Sequence, residues 1–280
     1  KTLSFPFLIS SMTGGPEKAA TINKNLAIAA QETKVALALG SMRVIIRHPE
    51  SKTSFDIRRD CPDIPLFANL GMIQLNYGFG LDEIKEIVDT IEADGIFLHV
   101  NHLQEAIQPE GDTDYKYLLE KLAKIIDDIP VPVLIKEVGA GIDYETAKSL
   151  SDIGVKWIDV SGLGGTSWSW VEGYRRDDDL GDVFKAVGIP TDECIQQCKD
   201  IPELNLIAGG GIRTGLDIAK SIALGAKIAT AAKPLLAPAL ESPEASINAL
   251  EKLKKQLEIA MFSAGIGNIN GLEQAELVQK

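Results

Sequence analysis

The segment from His99 to Asp112 carries the densest group of side chains that could do chemistry. It reads HVNHLQEAIQPEGD and begins at the end of an apolar run. If that run is a strand, His99 and Asn101 point to the same side of it. Gln104 and Glu105 follow, and their oxygens suit a hard cation such as Mg2+, better shared with substrate phosphates than held by protein alone. The segment therefore predicts a substrate site with a metal.

Three further polar side chains of this region, together with His48 earlier in the chain, are set apart from that site. His102 and His48 are expected to face solvent, and His48 lies far from any predicted strand end. Glu110 and Asp112 follow Pro109 and form either a solvated turn or additional ligands. The predicted metal site therefore rests on the amide and the carboxylate named above.

Lys136 ends a second apolar run and is followed directly by Glu137. An apolar strand should not carry a charge to its end unless something pairs with that charge. The partner is either an electron-rich group such as a flavin or a substrate anion, or else Glu137 or another carboxylate. Asn69 and Ser41 end two other runs, where they could hydrogen-bond the polar edge of a flavin ring.

Two glycine-rich segments have the composition of phosphate-binding loops. Residues 209–215 read GGGIRTG and open a predicted helix, so that backbone amides and the helix N-terminus can face an anion, to which Arg213 adds charge. Residues 162–167, GLGGTS, add hydroxyl groups, and Ala231 and Ala232 are small enough for close approach. Ordinary turns are the alternative. Together these segments predict a phosphorylated cofactor.

Eight apolar runs separated by helical patterns must position these side chains. The alternation is typical of βα units with a parallel sheet. The predicted strands are Phe5 to Ser10, Val35 to Leu39, Pro65 to Ala68, Gly95 to Val100, Val131 to Ile135, Trp157 to Ser161, Leu204 to Ala208 and Ala226 to Thr230. The predicted helices are Pro16 to Glu32, Leu81 to Asp94, Tyr115 to Asp127, Tyr144 to Ile153, Gly215 to Leu224 and Ser246 to Met261.

This order of elements predicts a single-domain α/β protein, a (β/α)8 TIM barrel that spans residues 1–280. An open doubly wound sheet is the alternative, but the segment after the first strand lacks the dinucleotide-binding fingerprint. In such a barrel the working residues lie at the carboxyl-terminal ends of the strands, where all the segments described above fall. The polar stretch from Trp170 to Asp192 is a candidate lid.

Composition excludes several classes of function. The formal net charge of -12 opposes binding to nucleic acid or to an anionic membrane surface. No apolar run reaches the roughly 20 residues of a membrane span. The chain has 3 cysteines, which favours a reducing compartment, the cytoplasm, over a disulfide framework. Cys194 and Cys198 are expected to pack within a helix, with a metal site as the alternative.

The motifs resemble, in their order, those of the type 2 isopentenyl-diphosphate isomerase family, FMN-dependent enzymes of isoprenoid biosynthesis. The combination of NxxQE with QPEGD and GGTSW is the most specific part. The resemblance spans nearly the whole chain and rests on residues 9–15 (ISSMTGG), 40–43 (GSMR), 68–71 (ANLG), 99–112, 136–139 (KEVG), 164–168 (GGTSW) and 210–217 (GGIRTGLD).

The resemblance implies interconversion of isopentenyl and dimethylallyl diphosphate, a 1,3-proton shift in which reduced FMN is the acid–base group. Mg2+ would bind the diphosphate, and NAD(P)H would serve only to keep the flavin reduced. The implied FMN contacts are Met12, Thr13, Ser41, Asn69, Lys136, Ser161, Thr166, Gly209, Gly210, Gly211, Arg213, Ala231 and Ala232. The implied substrate contacts are Arg43, His99, Asn101, Gln104 and Trp168, the metal ligands are Glu105 and Gln104, and the catalytic group is Lys136, His99, Asn101 and Gln104.

Two further expectations follow from the resemblance, and two alternatives to it stay open. The family has an N-terminal extension whose basic residues help bind the diphosphate, and this extension is expected to be absent because the chain begins at Lys1 directly before the first strand. The assembly is expected to be a homotetramer or homo-octamer. The alternatives are another FMN-dependent barrel oxidoreductase and a catalytically inactive flavin- or phosphate-binding protein.

Overall fold

The computed structural model describes residues 1–12 and 17–278, and its eight parallel strands close into a barrel. Each strand pairs with the next, and the eighth pairs with the first, as in the register of Leu8 with Ala36 and with Thr230. The strands are β1 (Phe7–Ile9), β2 (Ala36–Ala38), β3 (Leu66–Gly71), β4 (Gly95–His99), β5 (Val133–Lys136), β6 (Trp157–Asp159), β7 (Asn205–Ala208) and β8 (Ile228–Ala231). The predicted (β/α)8 barrel is confirmed, and the alternative prediction of an open doubly wound sheet is wrong.

Helices connect successive strands, and the segment that follows strand βn is called loop n. Short 3-10 helices, such as Pro49–Phe55, complete some connections. The helices are α1 (Glu17–Thr33), α2 (Arg43–Arg47), α3 (Leu81–Thr90), α4 (His102–Ile107), α5 (Leu118–Ala123), α6 (Tyr144–Asp152), α7 (Trp168–Gly173), α8 (Leu180–Phe184), α9 (Thr191–Cys198), α10 (Gly215–Leu224), α11 (Lys233–Glu241), α12 (Pro243–Ser263) and α13 (Ile269–Glu273). No helix in the described ranges is both long and apolar enough to cross a membrane.

The predicted element boundaries are close to the observed ones. Predicted and observed strand ends differ by at most three residues. The largest difference is in β3, which continues to Gly71, so that Asn69 lies within the strand. The stretch from Trp170 to Asp192 was predicted to be a long polar excursion, but it contains most of α7, all of α8 and the start of α9.

Helix α10 shows how the local sequence positions a candidate anion-binding loop. Thr214 precedes the helix, and its hydroxyl accepts a hydrogen bond from the amide of Asp217 at 3.2 Å. The Asp217 carboxylate in turn accepts from the amide of Thr214 at 2.9 Å. This capping box fixes the first turn, and Gly225 ends the helix with a φ of +125°. Loop 7 therefore leads into a helix N-terminus that is fixed by the capping box.

The interior of the barrel changes from apolar to polar along its axis. Its lower part is filled by Leu8, Ala38, Phe67, Phe97, Leu134, Trp157, Ile207 and Ile228. Positions two residues further along the chain face the same way where the strand continues, and these positions, in the strands or just past their ends, are Ser10, Gly40, Asn69, His99, Lys136, Asp159, Gly209 and Thr230. We call this second set the polar layer. Burial of polar groups is costly unless they are paired, so the polar layer makes this end of the barrel the candidate for a ligand site.

Candidate active site

A cavity of about 950 Å³ opens above the polar layer. Ligand pockets typically occupy roughly 300–1,000 Å³, so the volume suits a cofactor together with a small substrate. Every predicted site residue in the described part of the chain lines it: Met12, Ser41, Arg43, Asn69, His99, Asn101, Gln104, Glu105, Lys136, Ser161, Thr166, Trp168, Gly209, Gly210, Gly211, Arg213, Ala231 and Ala232. Thr13 lies outside the described residues.

His99 is a neutral hydrogen-bonding group in the polar layer. Its Nδ1 lies 2.8 Å from Asn69 Oδ1, while Asn69 Nδ2 donates to Ser11 Oγ at 2.9 Å. Because Asn69 Oδ1 can only accept, His99 Nδ1 carries the proton and Nε2 is an acceptor, for which the described residues provide no donor. Burial, together with the charges of Lys136 and Arg43, lowers the pKa of His99 to about 3. The ring is therefore uncharged at neutral pH.

Lys136 brings a positive charge to the lining of the cavity. Its Nζ donates to the Glu137 carbonyl oxygen at 2.7 Å. The Glu137 carboxylate turns away and accepts from the amides of Val138 and Gly139 at 2.6 Å and of Ala140 at 2.5 Å. Backbone amides thus engage Glu137, and its carboxylate is not the direct partner of Lys136. Burial lowers the pKa of Lys136, while the nearby carboxylates oppose that shift.

Loops 6 and 7 pack against each other through glycine and present backbone groups to the cavity. A Cβ at Gly165 would approach the amide nitrogen of Gly211 to 2.8 Å, and Gly211 itself has a φ of +78°. Arg213 Nη2 donates to the Gly164 carbonyl at 3.0 Å, which ties the two loops together beside the N-terminus of α10. Backbone amides, a helix terminus and a guanidinium group make this end of the cavity suited to a phosphate.

The charges that line the cavity are mostly positive although the whole chain carries -12. Among the described residues of the lining, the basic side chains are Arg43, Lys136, Arg213 and Lys233, and the acidic one is Glu105. A locally positive cavity in an acidic protein attracts a small anion without making the surface generally anion-binding. Lys233 begins α11 in the loop after β8 and was missed by the sequence analysis.

Loop 4 folds into α4 and brings Asn101 and Glu105 together. The expectation that His99 and Asn101 share a strand face is wrong, because β4 ends at His99 and Asn101 immediately precedes the helix. Gln104 and Glu105 lie on α4 and not in an open loop. One helical turn brings residues i and i+4 together, and Asn101 Nδ2 donates to Glu105 Oε1 at 2.8 Å.

Asp112 braces the cavity wall and does not form a solvated turn. Its amide donates to Glu105 Oε2 at 2.8 Å. Its carboxylate accepts from Gln74 at 3.0 Å and pairs with Arg43 at 3.2 Å. Loops 2, 3 and 4 are thereby linked through one aspartate. Glu110 is exposed and pairs with Arg175.

Glu172 is a buried carboxylate at the site that the sequence analysis missed. It lies on α7, where Oε1 accepts from Gln104 Nε2 at 2.9 Å and Oε2 accepts from Arg175 at 2.9 Å. Loop 6 therefore packs onto α4, and the Gln104 amide is oriented by this contact. The available signal was its position four residues after Trp168, which puts both on one face of a helix.

Comparison with known proteins identifies the family. A family model described as FMN-dependent dehydrogenase matches residues 83–279. The isopentenyl-diphosphate delta-isomerase of Oceanobacillus iheyensis is 46% identical over 283 residues, which cover 99% of this chain and 81% of that protein. The protein of the same name from Nostoc sp. is 46% identical over 285 residues, covering 100% of this chain and 81% of the relative. The chain belongs to the FMN-dependent, type 2 isopentenyl-diphosphate delta-isomerase family.

Solved structures that resemble this isomerase-family chain support the fold alone. An oxidised active mutant of (S)-mandelate dehydrogenase superposes with a TM-score of 0.70 at 19% identity, covering 96% of this chain and 78% of that one. Inosine 5'-monophosphate dehydrogenase from Legionella pneumophila gives a TM-score of 0.65 at 18% identity, with 97% and 85% covered. The barrel architecture is thus shared with proteins of different substrates.

Proposed function

We propose that this chain interconverts isopentenyl diphosphate and dimethylallyl diphosphate by a 1,3-proton shift without net oxidation or reduction. The observation that carries the proposal is the division of one cavity into two halves. Loops 6, 7 and 8 offer backbone amides and small residues, whereas loop 2, the end of β4 and loop 4 offer Arg43, His99, Asn101, Gln104 and Glu105. A cofactor on the first side and a diphosphate on the second would meet above Lys136.

The residues of the first half fit FMN. Substitution of Gly165 by a larger residue would push into the loop 7 backbone, so the two loops form a close cradle for a phosphate. Lys136 is buried and lines the cavity, where a flavin ring would provide a partner for its charge. From this half we assign to FMN Ser161, Thr166, Gly209, Gly210, Gly211, Arg213, Ala231 and Ala232, and from the rest of the cavity lining Met12, Ser41, Asn69 and Lys136. Contact by Thr13 stays a prediction. When bound in its reduced form, FMN supplies the acid–base group of the proton shift.

The second half would bind the diphosphate. Arg43 supplies positive charge, and the Glu105 carboxylate is available to Mg2+ because each of its oxygens accepts one hydrogen bond and retains a lone pair. The described residues contain no cluster of three His, Cys, Asp or Glu side chains able to hold a metal. Glu105 with Gln104 would therefore complete a Mg2+ site only with oxygens from the substrate phosphates.

His99, Asn101 and Gln104 would orient the hydrocarbon part of the substrate. His99 stays neutral because of its lowered pKa, so its ring adds no charge that would oppose a transient carbocation. Trp168 borders the same side and is 37% exposed, so its ring can cover the substrate and limit the entry of water. Glu172 fixes Gln104 from behind.

Anaerobic assay of the purified protein tests the proposal. After reduction of bound FMN with dithionite, isopentenyl diphosphate in D2O should yield dimethylallyl diphosphate that carries deuterium, while the flavin spectrum stays that of the reduced form. NAD(P)H should replace dithionite, and removal of Mg2+ by EDTA should abolish turnover. A purified protein that is yellow with bound FMN but does not isomerise the substrate would refute the proposal. Reduction of oxidised FMN by a substrate would instead favour the oxidoreductase alternative. The cytoplasmic location and the homotetramer or homo-octamer stay predictions.

A further inference from the structure

Asp159 is a fully buried carboxylate of the polar layer with an unsatisfied oxygen. Its relative exposure is 0%. Oδ1 accepts from the Ser161 amide at 3.0 Å and from the Ser161 hydroxyl at 2.9 Å. Within the described residues, Oδ2 has no hydrogen-bond partner. A buried carboxylate in this state is strongly unfavourable unless a nearby opposite charge compensates it.

Lys136 is the charge in position to compensate Asp159. The two residues are register partners on β5 and β6, and both side chains belong to the polar layer. His99, the register partner of Lys136 on the other side, is neutral. The Glu137 carboxylate is held by backbone amides. Among the described residues, Asp159 is thus the carboxylate in position to balance the Lys136 charge across the strand pair.

The electrostatics agree with a charge interaction between Lys136 and Asp159. Burial raises the pKa of Asp159 to about 6, and the Lys136 charge opposes that rise. Burial likewise lowers the pKa of Lys136, and the Asp159 charge is the strongest influence against it. A Cβ at Gly209 would overlap Asp159 Oδ1, which shows that Asp159 lies directly beneath loop 7 and the proposed FMN site.

We propose that Asp159 is a positioning residue that keeps Lys136 charged beneath the bound flavin and thereby sets the balance between oxidised and reduced FMN. The proposal rests on the proposed placement of FMN above Lys136, but not on the isomerase reaction. A fixed positive charge near the ring stabilises the electron-rich reduced flavin more than the oxidised one. Without its counterion, Lys136 would lose its proton more readily, and this stabilisation would be lost.

Reduction potentials of the FMN-loaded protein test the proposal. Asp159→Asn keeps the shape of the side chain and should shift the equilibrium toward oxidised FMN at least tenfold, about 30 mV for a two-electron couple. Asp200→Asn removes an equal charge from the exposed surface and should leave the potential unchanged. In a Lys136→Met background, Asp159→Asn removes only a negative charge, so the potential should stay the same or rise.

Two outcomes of these potential measurements would overturn the inference. The first is an unchanged potential in Asp159→Asn, and the second is an equal fall in the Lys136→Met background, which would mean that Asp159 acts without Lys136. If Asp159→Asn does not fold, NMR of the wild-type holoprotein with 13C-labelled lysine ε-carbons measures the protonation state of Lys136 directly. The Lys136→Met variant assigns the signal. We expect a charged Lys136 at pH 7, and a neutral one contradicts the proposal. Failure of isomerisation alone would leave these results intact and would count only against the proposed function.

Discussion

Lowering the pH from 7 to 5 should destabilise the flavin-free protein by roughly 2 kcal/mol through His99. The unfolded chain takes up a proton at this residue below its ordinary pKa of 6.5, whereas the folded protein resists protonation until about pH 3. The stability that neutral His99 contributes is therefore complete above pH 6.5 and is lost as the pH falls toward 3. Each pH unit corresponds to about 1.4 kcal/mol, and pH 5 lies 1.5 units below the ordinary value.

Urea unfolding of wild type and His99→Asn at the two pH values measures this contribution. Asparagine does not titrate, and its amide can donate to Asn69 in place of Nδ1. The free energy of unfolding should fall by about 2 kcal/mol more in wild type than in the variant between pH 7 and pH 5. Flavin-free protein is used because cofactor binding would add a pH dependence of its own.

A second buried group titrates in the same range with the opposite sign. Burial raises the folded-state pKa of Asp159 from 3.8 to about 6, so stability from its protonated form is complete below pH 3.8 and is lost as the pH rises through 6. That effect is common to both proteins and cancels in the comparison. His48→Asn removes an exposed histidine and should retain the wild-type behaviour. Equal losses in wild type and His99→Asn, within about 0.5 kcal/mol, would refute the reasoning.

Three substitutions test the two halves of the cavity. Lys136→Ala should reduce FMN affinity or abolish isomerisation while far-UV circular dichroism stays unchanged, and full activity with bound FMN would disprove the role of this lysine. Gly165→Ala would bring a methyl group to 2.8 Å from a loop 7 nitrogen and should weaken FMN binding about tenfold, whereas Gly267→Ala, which meets nothing within 4 Å, should bind FMN normally by fluorescence titration. Glu172→Gln removes a charged hydrogen-bond partner of Gln104 and should lower kcat roughly tenfold to a hundredfold, while an unchanged kcat would separate Glu172 from the reaction.

The barrel could be predicted from sequence because its signal is periodic and local. Apolar runs bounded by Gly, Pro or Asp and separated by helical patterns appear eight times, and chain order alone then determines strand order in the closed sheet. The cavity lining could be predicted for a related reason, since the carboxyl-terminal ends of parallel strands all meet at one face. Asn69 was found although the strand around it continues to Gly71.

The partners of those residues could not be predicted, because tertiary contacts determine them. Asp112 looks like a turn residue until loop 4 is folded against loops 2 and 3, where it meets Arg43. Glu172 lies 68 positions from Gln104 in sequence, so no local pattern links them. Asp159 becomes significant only through the β5–β6 register, which puts it beside Lys136. The sequence shows which residue types are present, but only the structure shows which of these side chains contact each other.

The two halves of the cavity differ in how strictly they require particular residues, because one is built from backbone groups and the other from side chains that contact each other. An anion-binding site made of backbone amides needs only small residues and a helix N-terminus. Many sequences can therefore form the site of loops 6 and 7. The opposite wall depends on side chains that hold one another: Asp112 bridges Arg43 and Gln74, and its amide binds Glu105. Loss of one member leaves a partly buried polar group unpaired, which costs about 1–3 kcal/mol. Substitutions in this network should therefore act together and not independently, so Asp112→Asn combined with Arg43→Met should cost less activity than the sum of the single effects.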